Sequence, residues 1–371
     1  MMTLRLYCGI KKIMPANNQQ KVTEEQVRRA LSSVVDPDLH TDIVSLGFVS
    51  DIKIADQRVH FKLTLTTPAC PVRDKLEAES RRVVAEIPGV AAVDIESTAI
   101  VASQRKVHSR QPVEGIKHIV AITSGKGGVG KSTVAVNLAV ALSQLGARVG
   151  LLDSDITGPN IPLMLGVEGY QPTSKDGKIF PAENYGVKCM SMSFFVSKDT
   201  PVIWRGPMLD KAIRQFLHDV IWGELDYLLV DMPPGTSDAQ LTMVQAVELS
   251  GGIIVTTPQD VALLDGRKGL AMFQQMSVPV LGFIENMSYF ICPHCQERSD
   301  IFSHGGGQLL AKEMSVPFLG EIPLDTIVRK GGDCGRPITV LDPDHQVAKS
   351  FLDCAKKIAA QISIHALSPV G

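Results

Sequence analysis

The segment Ser124-Gly-Lys-Gly-Gly-Val-Gly-Lys-Ser-Thr133 restricts this chain more than any other, because residues 125–132 satisfy G-x-x-x-x-G-K-[ST] in full. The apolar run at 118–123 precedes it and a helical pattern at 132–146 follows it, the strand–loop–helix setting such a loop requires. Glycine lets a backbone close around phosphate oxygens. The N–H groups along Gly125, Lys126, Gly127, Gly128, Val129 and Gly130 can therefore turn toward one anion. The helix that follows directs its positive end at the same anion. Lys131 is placed to neutralise the β- and γ-phosphates, Ser132 offers a hydroxyl to Mg²⁺, and Thr133 completes the cradle. The expected ligand is ATP with Mg²⁺.

Beyond residue 118, short apolar runs alternate with longer helical patterns: HIVAIT, RVGLLD, YLLVDMP, GGIIVTTP, PVLGFIEN and PFLGEIP. Continuous apolar strands of this kind predict a mainly parallel, doubly wound sheet with helices on both faces. Ligands then gather at the carboxyl ends of the strands. The expected fold class is α/β, a P-loop NTPase domain over 116–371 behind a small α+β domain. Asp231 closes the run YLLVD, where a carboxylate can hold the water shell of Mg²⁺. Asp153 and Asp155 close the run before it; one can stabilise the loops and the other orient an attacking water.

The small domain is read at 23–97. Thr23 and Gln26 make a capping box for a helix running to about Val34. Residues 58–65 alternate with the period of a half-buried strand, the stretch from Cys70-Pro71 to Ile87 reads as a helix, and 90–95 as a strand. The polar, mildly basic stretch at 98–115 reads as a linker. Residues 1–22 read as a disordered extension, with Met14 as an alternative start.

A net charge of −2 and a pI near 6.5 argue against a general nucleic-acid binder. No apolar stretch reaches the roughly 18 residues of a membrane span. Seven cysteines without a signal peptide point to a reducing, cytoplasmic setting rather than a disulfide framework. Cys292 and Cys295, in ICPHCQER, form the one close pair. By spacing alone the pair fits a redox dithiol, half a zinc site completed by His294, His304 or a partner chain, half of a four-thiolate 4Fe–4S site at a two-fold axis, or a simple structural pair. Cys70 follows a strand and precedes a helix. Cys189 and Cys354 fall in apolar patterns, Cys334 in a loop, and Cys8 in the extension.

Lys126 is not required by an ordinary phosphate loop, and with it KGGVGKS resembles the deviant Walker A ATPases, which include MinD, ParA and the nitrogenase iron protein. The resemblance implies that Lys126 reaches across a dimer to the partner's nucleotide while Lys131 acts in its own subunit. It further implies that Asp155 orients the attacking water and that Asp231 opens the second switch. A second cation on the transferring phosphate would supply the stabilisation an arginine finger gives, and a slow ATPase would then depend on dimerisation. Together, KGGVGKST, LLDSDITGPN, WRGPM, DMPPGTSD, IENMS and CPHC resemble the Mrp/ApbC iron–sulfur cluster carrier ATPases over 116–362. That resemblance implies a homodimer bridging one 4Fe–4S cluster through Cys292 and Cys295 of each subunit. Its partners would be recipient apoproteins and cluster assembly factors. In the wider superfamily an asparagine at the position of Asn286 contacts adenine; a buried asparagine serving local backbone is the competing reading. VDPDLHTDIVSLGFV and TPACP resemble the MIP-type iron–sulfur assembly domain over 23–96.

The competing class is a MinD- or ParA-like positioning ATPase with a structural zinc-bridged dimer. It calls for a basic amphipathic tail or a DNA-binding surface, and it leaves CPHC without a chemical role.

Overall fold

The computed structural model describes residues 22–101, 112–155, 158–195, 206–235 and 238–367. Nearly all of the expected extension, with Met14 and Cys8, lies outside them, as do most of the expected linker and Trp204 and Arg205 of WRGPM. The described residues form two compact units: 22–64 with 74–97, and 65–73 with the described residues from 98 onward.

In the smaller unit, helix Glu24–Leu31 starts at the expected capping box. Thr23 accepts from the Gln26 N–H and the Gln26 side chain accepts from the Thr23 N–H. The helix ends earlier than expected because Ser32 and Ser33 turn their hydroxyls onto the carbonyls of Arg28 and Ala30. Strands Val49–Ala55 and Arg58–Leu65 pair antiparallel, and Ala92–Ala99 completes the sheet. Asp56 and Gln57 both adopt positive φ (47° and 64°), the two-residue hairpin turn whose twist matches that of the strands. Strand Arg58–Leu65 buries alternate residues, with Val59, Phe61, Leu63 and Leu65 inward.

The larger unit is built on a nine-stranded sheet. Its parallel strands run, across the sheet, Val187–Ser191, Val149–Asp153, Leu225–Asp231, Ile116–Thr123, Gly251–Thr256, Val280–Ile291 and Phe318–Leu324. Every expected run becomes a strand. Val187–Ser191 was not expected as one, because Lys188 breaks its short apolar pattern; Cys189 lies within it, fully buried. Helix Lys131–Gln144 is apolar nearly all round and lies in one face's core with helix Gln346–Leu367, while residues of Gly206–His218, Asp260–Gln275 and Gly306–Glu313 fill the other. The strand order reverses around Ile116–Thr123, which puts the phosphate loop in the crevice at the carboxyl edge.

Candidate functional site

The phosphate loop joins Ile116–Thr123 to helix Lys131–Gln144. Two of its glycines are needed for reasons of space. A Cβ on Gly125 would lie 2.1 Å from the Asp265 main chain, and one on Gly130, already at φ 81°, would lie 2.3 Å from Asn286 Nδ2. Lys131 Nζ sits 2.6 Å from Asp231 Oδ1, and Ser132 Oγ donates to Oδ2 at 2.6 Å. Asp231 is fully buried and Lys131 is 6% exposed, so this pair is desolvated as well as close. Burial pushes the Asp231 carboxyl above its ordinary value, against the pull of Lys131 and Ser132. Lys126, by contrast, is exposed.

Asp153 is fully buried beside this pair. It accepts from the Asp155 N–H at 3.2 Å, the Ile161 N–H at 3.3 Å and the Ser191 hydroxyl at 3.1 Å. Burial and then the neighbouring Asp231 raise its carboxyl well above the ordinary range. Through these three bonds Asp153 ties together Asp155, Ile161 and Ser191, and Asp155 is half-buried. Gln240, missed in the sequence, is buried and donates to Thr123 Oγ1 at 2.8 Å and to the Pro233 carbonyl at 2.5 Å. It ties the segment after Asp231 back to the phosphate-loop strand. A lone glutamine in a helical pattern carries no signal of that.

Asn286 is buried and donates from Nδ2 to the Val129 carbonyl at 2.8 Å, the local-backbone reading of this residue. Its strand, Val280–Ile291, runs on into Cys292. There the chain makes a tight turn: the Gln296 N–H donates to the Cys292 carbonyl at 2.9 Å, the Cys292 N–H donates to the Glu297 carbonyl at 2.9 Å, and Gln296 takes φ 60°. The backbone N–H groups of Cys295 and His294 donate to the Cys292 sulfur, and the Cys295 side chain adds to them. Together they hold its thiol below the ordinary value. Cys292 is half-buried and Cys295 exposed. Two sulfurs at the tip of a turn, one of them receiving backbone N–H donors, suit an iron–sulfur cluster better than a buried structural pair.

No helix among the described residues is long and apolar enough to cross a membrane.

The family model described as NUBPL iron-transfer P-loop NTPase matches residues 115–359, and one described as iron–sulfur cluster assembly protein matches 24–95. The iron–sulfur cluster carrier protein of Synechocystis is 52% identical over 93% of this chain and 99% of its own length. The carrier protein of Escherichia coli K12 is 38% identical over 93% of this chain and 95% of its own. The iron–sulfur cluster transfer protein NUBPL of Dictyostelium discoideum is 50% identical over 68% of this chain and 79% of its own. Among solved structures, an ADP-bound nucleotide-binding protein from Archaeoglobus fulgidus is 39% identical, with a TM-score of 0.56, over 64% of this chain and 93% of its own. MinD of Pyrococcus horikoshii with Mg-ADP is 27% identical, with a TM-score of 0.50, over 64% and 94%. A phosphate loop on a parallel sheet, followed by a cysteine turn on one of its strands, thus meets a family match over most of the chain: this protein belongs to the NUBPL iron-transfer P-loop NTPases, the family of the iron–sulfur cluster carriers.

Proposed function

We propose that this protein is a homodimeric ATPase that holds a 4Fe–4S cluster as cargo between two copies of the Cys292/Cys295 turn and passes it to recipient apoproteins. The observation that carries the reading is the turn itself. One chain supplies two thiolates, and a two-fold axis doubles them to the four such a cluster takes. MgATP binds at residues 125–133, with Lys131 and Ser132 released from Asp231 to meet phosphate and metal. Asp231 then holds the metal's water shell, Asp155 orients the attacking water, and Lys126 reaches the partner's nucleotide. Such a lysine makes turnover slow in the monomer. Asn286 serves the loop backbone through Nδ2, and the adenine contact that the resemblance implies would fall to its Oδ1.

Anaerobic reconstitution with iron and sulfide tests the reading. The expected result is visible sulfide-to-iron absorption with about four irons per dimer, lost in Cys292→Ser while nucleotide affinity stays. Stoichiometric zinc without that absorption would turn the pair into a structural bridge and remove the carrier function.

A further inference from the structure

The same strand that touches the phosphate loop carries the cysteine turn, and two adjacent residues on it face opposite ways. Strand Val280–Ile291 has 12 residues against 6 in its neighbour Gly251–Thr256, so it projects past the sheet edge into Cys292. On one face, Asn286 holds the Val129 carbonyl at 2.8 Å. That contact is built into the loop, because only glycine at position 130 leaves room for the amide.

On the other face, Glu285 is fully buried and collects the far end of the cysteine turn. Its Oε1 accepts the Gly305 N–H at 3.0 Å and the Ser288 hydroxyl at 2.6 Å, and its Oε2 accepts the Gly307 N–H at 2.5 Å. Glu285 thereby satisfies the first turn of helix Gly306–Glu313, into which the chain returns after Cys295. Ser288 also meets His304 Nδ1 at 3.0 Å and Glu321 Oε2 at 3.2 Å. Both ends of the cysteine segment are thus fastened to one short stretch, Glu285 to Ser288.

Between Asn286 and the cysteines the strand is irregular. Met287 adopts φ 54°, and the ladder with Phe318–Leu324 slips between Asn286 and Phe290. An irregular ladder is a place where a strand re-aims its side chains.

We propose that Glu285 and Asn286 are positioning residues that couple nucleotide at the phosphate loop to the geometry of the Cys292/Cys295 turn. The inference rests on the carrier reading above and names the physical route of its coupling. A nucleotide that re-shapes Val129–Gly130 pulls on Asn286. Glu285, covalently adjacent, moves the Gly305–Gly307 anchor, and the cysteine turn is displaced from both ends. This is a contiguous hydrogen-bonded path rather than an argument from distance.

The test reads coupling rather than stability. In cluster-free, full-length protein, the alkylation rates of Cys292 and Cys295 by N-ethylmaleimide are resolved by peptide mass spectrometry with and without saturating MgATPγS. The expected wild-type ratio departs from one by about fivefold or more, the scale of ordinary site–site coupling. In Glu285→Gln, whose amide cannot accept both glycine N–H groups, the ratio falls to about one while nucleotide affinity is unchanged. Ser288→Ala, a milder change that keeps the Glu285 carboxyl group and its bonds to Gly305 and Gly307, lowers the ratio partway and stands in should the first variant fold poorly. An unaltered ratio in Ser288→Ala, or in folded Glu285→Gln, overturns this inference and leaves the carrier reading standing. A wild-type ratio of one overturns both the coupling within that reading and this route for it.

Discussion

Lys131 Nζ lies 2.6 Å from Asp231 Oδ1, and the two side chains are 6% and 1% exposed. Ser132 occupies the other carboxylate oxygen at 2.6 Å. One carboxylate therefore holds both groups that a bound nucleotide needs, the cation for phosphate and the hydroxyl for Mg²⁺. On the function proposed above, an incoming phosphate would compete with Asp231 for Lys131, and a metal would compete for Ser132. The two exchanges would then favour each other, because each frees the carboxylate for the role proposed for it beside the metal.

Asp231→Asn should separate these exchanges. The amide carries no charge to hold Lys131, so metal-free ATP should bind at least as tightly as to wild type. Mg²⁺ should then add little further affinity. Hydrolysis should fall on the order of 10²-fold or more, as when one electrostatic element of a transition-state site is lost. Titration with ATP in EDTA and in Mg²⁺ checks this. A variant whose affinity still rises with Mg²⁺ as steeply as in wild type would contradict it.

Gly130→Ala should fail twice over, through backbone strain at φ 81° and through crowding of Asn286 Nδ2 at 2.3 Å. Strain of this kind costs about 1–3 kcal/mol. Adding Asn286→Ala removes the crowding but not the strain. The double variant should therefore recover part of the stability lost by Gly130→Ala, without recovering nucleotide affinity. Thermal unfolding of the four proteins in the cycle measures the interaction, and strict additivity would mean the contact carries no energy.

The parts of this architecture legible in the sequence are those whose signal is local. The phosphate loop, the strand ending in Asp231 and the alternating strand Arg58–Leu65 declare themselves through residues adjacent in the chain. Asn286 was ambiguous because a buried amide serves a base edge or a carbonyl equally well, and only the fold brings Val129 to it. Glu285 was silent. Its meaning depends on the N–H groups of Gly305 and Gly307, which a turn with its own chemistry separates from it in sequence. Gln240 and the strand Val187–Ser191 were hidden likewise, since their partners are supplied by tertiary packing.

Asp226 should give the larger unit a measurable acid dependence. Burial alone would raise its carboxyl, but Arg148 and Lys117 outweigh that and take it down to about 2. A folded value below the unfolded one stabilises above the unfolded pKa of 3.8 and loses that stabilisation as pH falls toward 2. The shift is worth about 2 kcal/mol at neutral pH. Asp226→Asn should therefore lower unfolding stability by about that amount at pH 7, and the difference should shrink steadily below pH 4. Urea unfolding at pH 7 and pH 3 decides it. An equal difference at both values would mean that the ion pairs with Arg148 and Lys117 contribute nothing net.

The exposed position of Lys126, beside a phosphate loop that already has Lys131, leads to a complementation prediction. If Lys126 acts on the partner's nucleotide, Lys126→Ala and Lys131→Ala should each lose most ATPase activity as pure proteins. In a mixed dimer, the subunit carrying Lys126→Ala keeps its own Lys131 and receives Lys126 from its partner, which gives one complete site. The second site of that dimer lacks both lysines. Random exchange of equal amounts makes half the dimers mixed, so about a quarter of all sites should be complete, and about a quarter of wild-type activity should return. Native mass spectrometry confirms that the subunits have exchanged. Exchanged dimers without activity would place Lys126 in its own subunit's site and remove the reason for hydrolysis to depend on dimerisation.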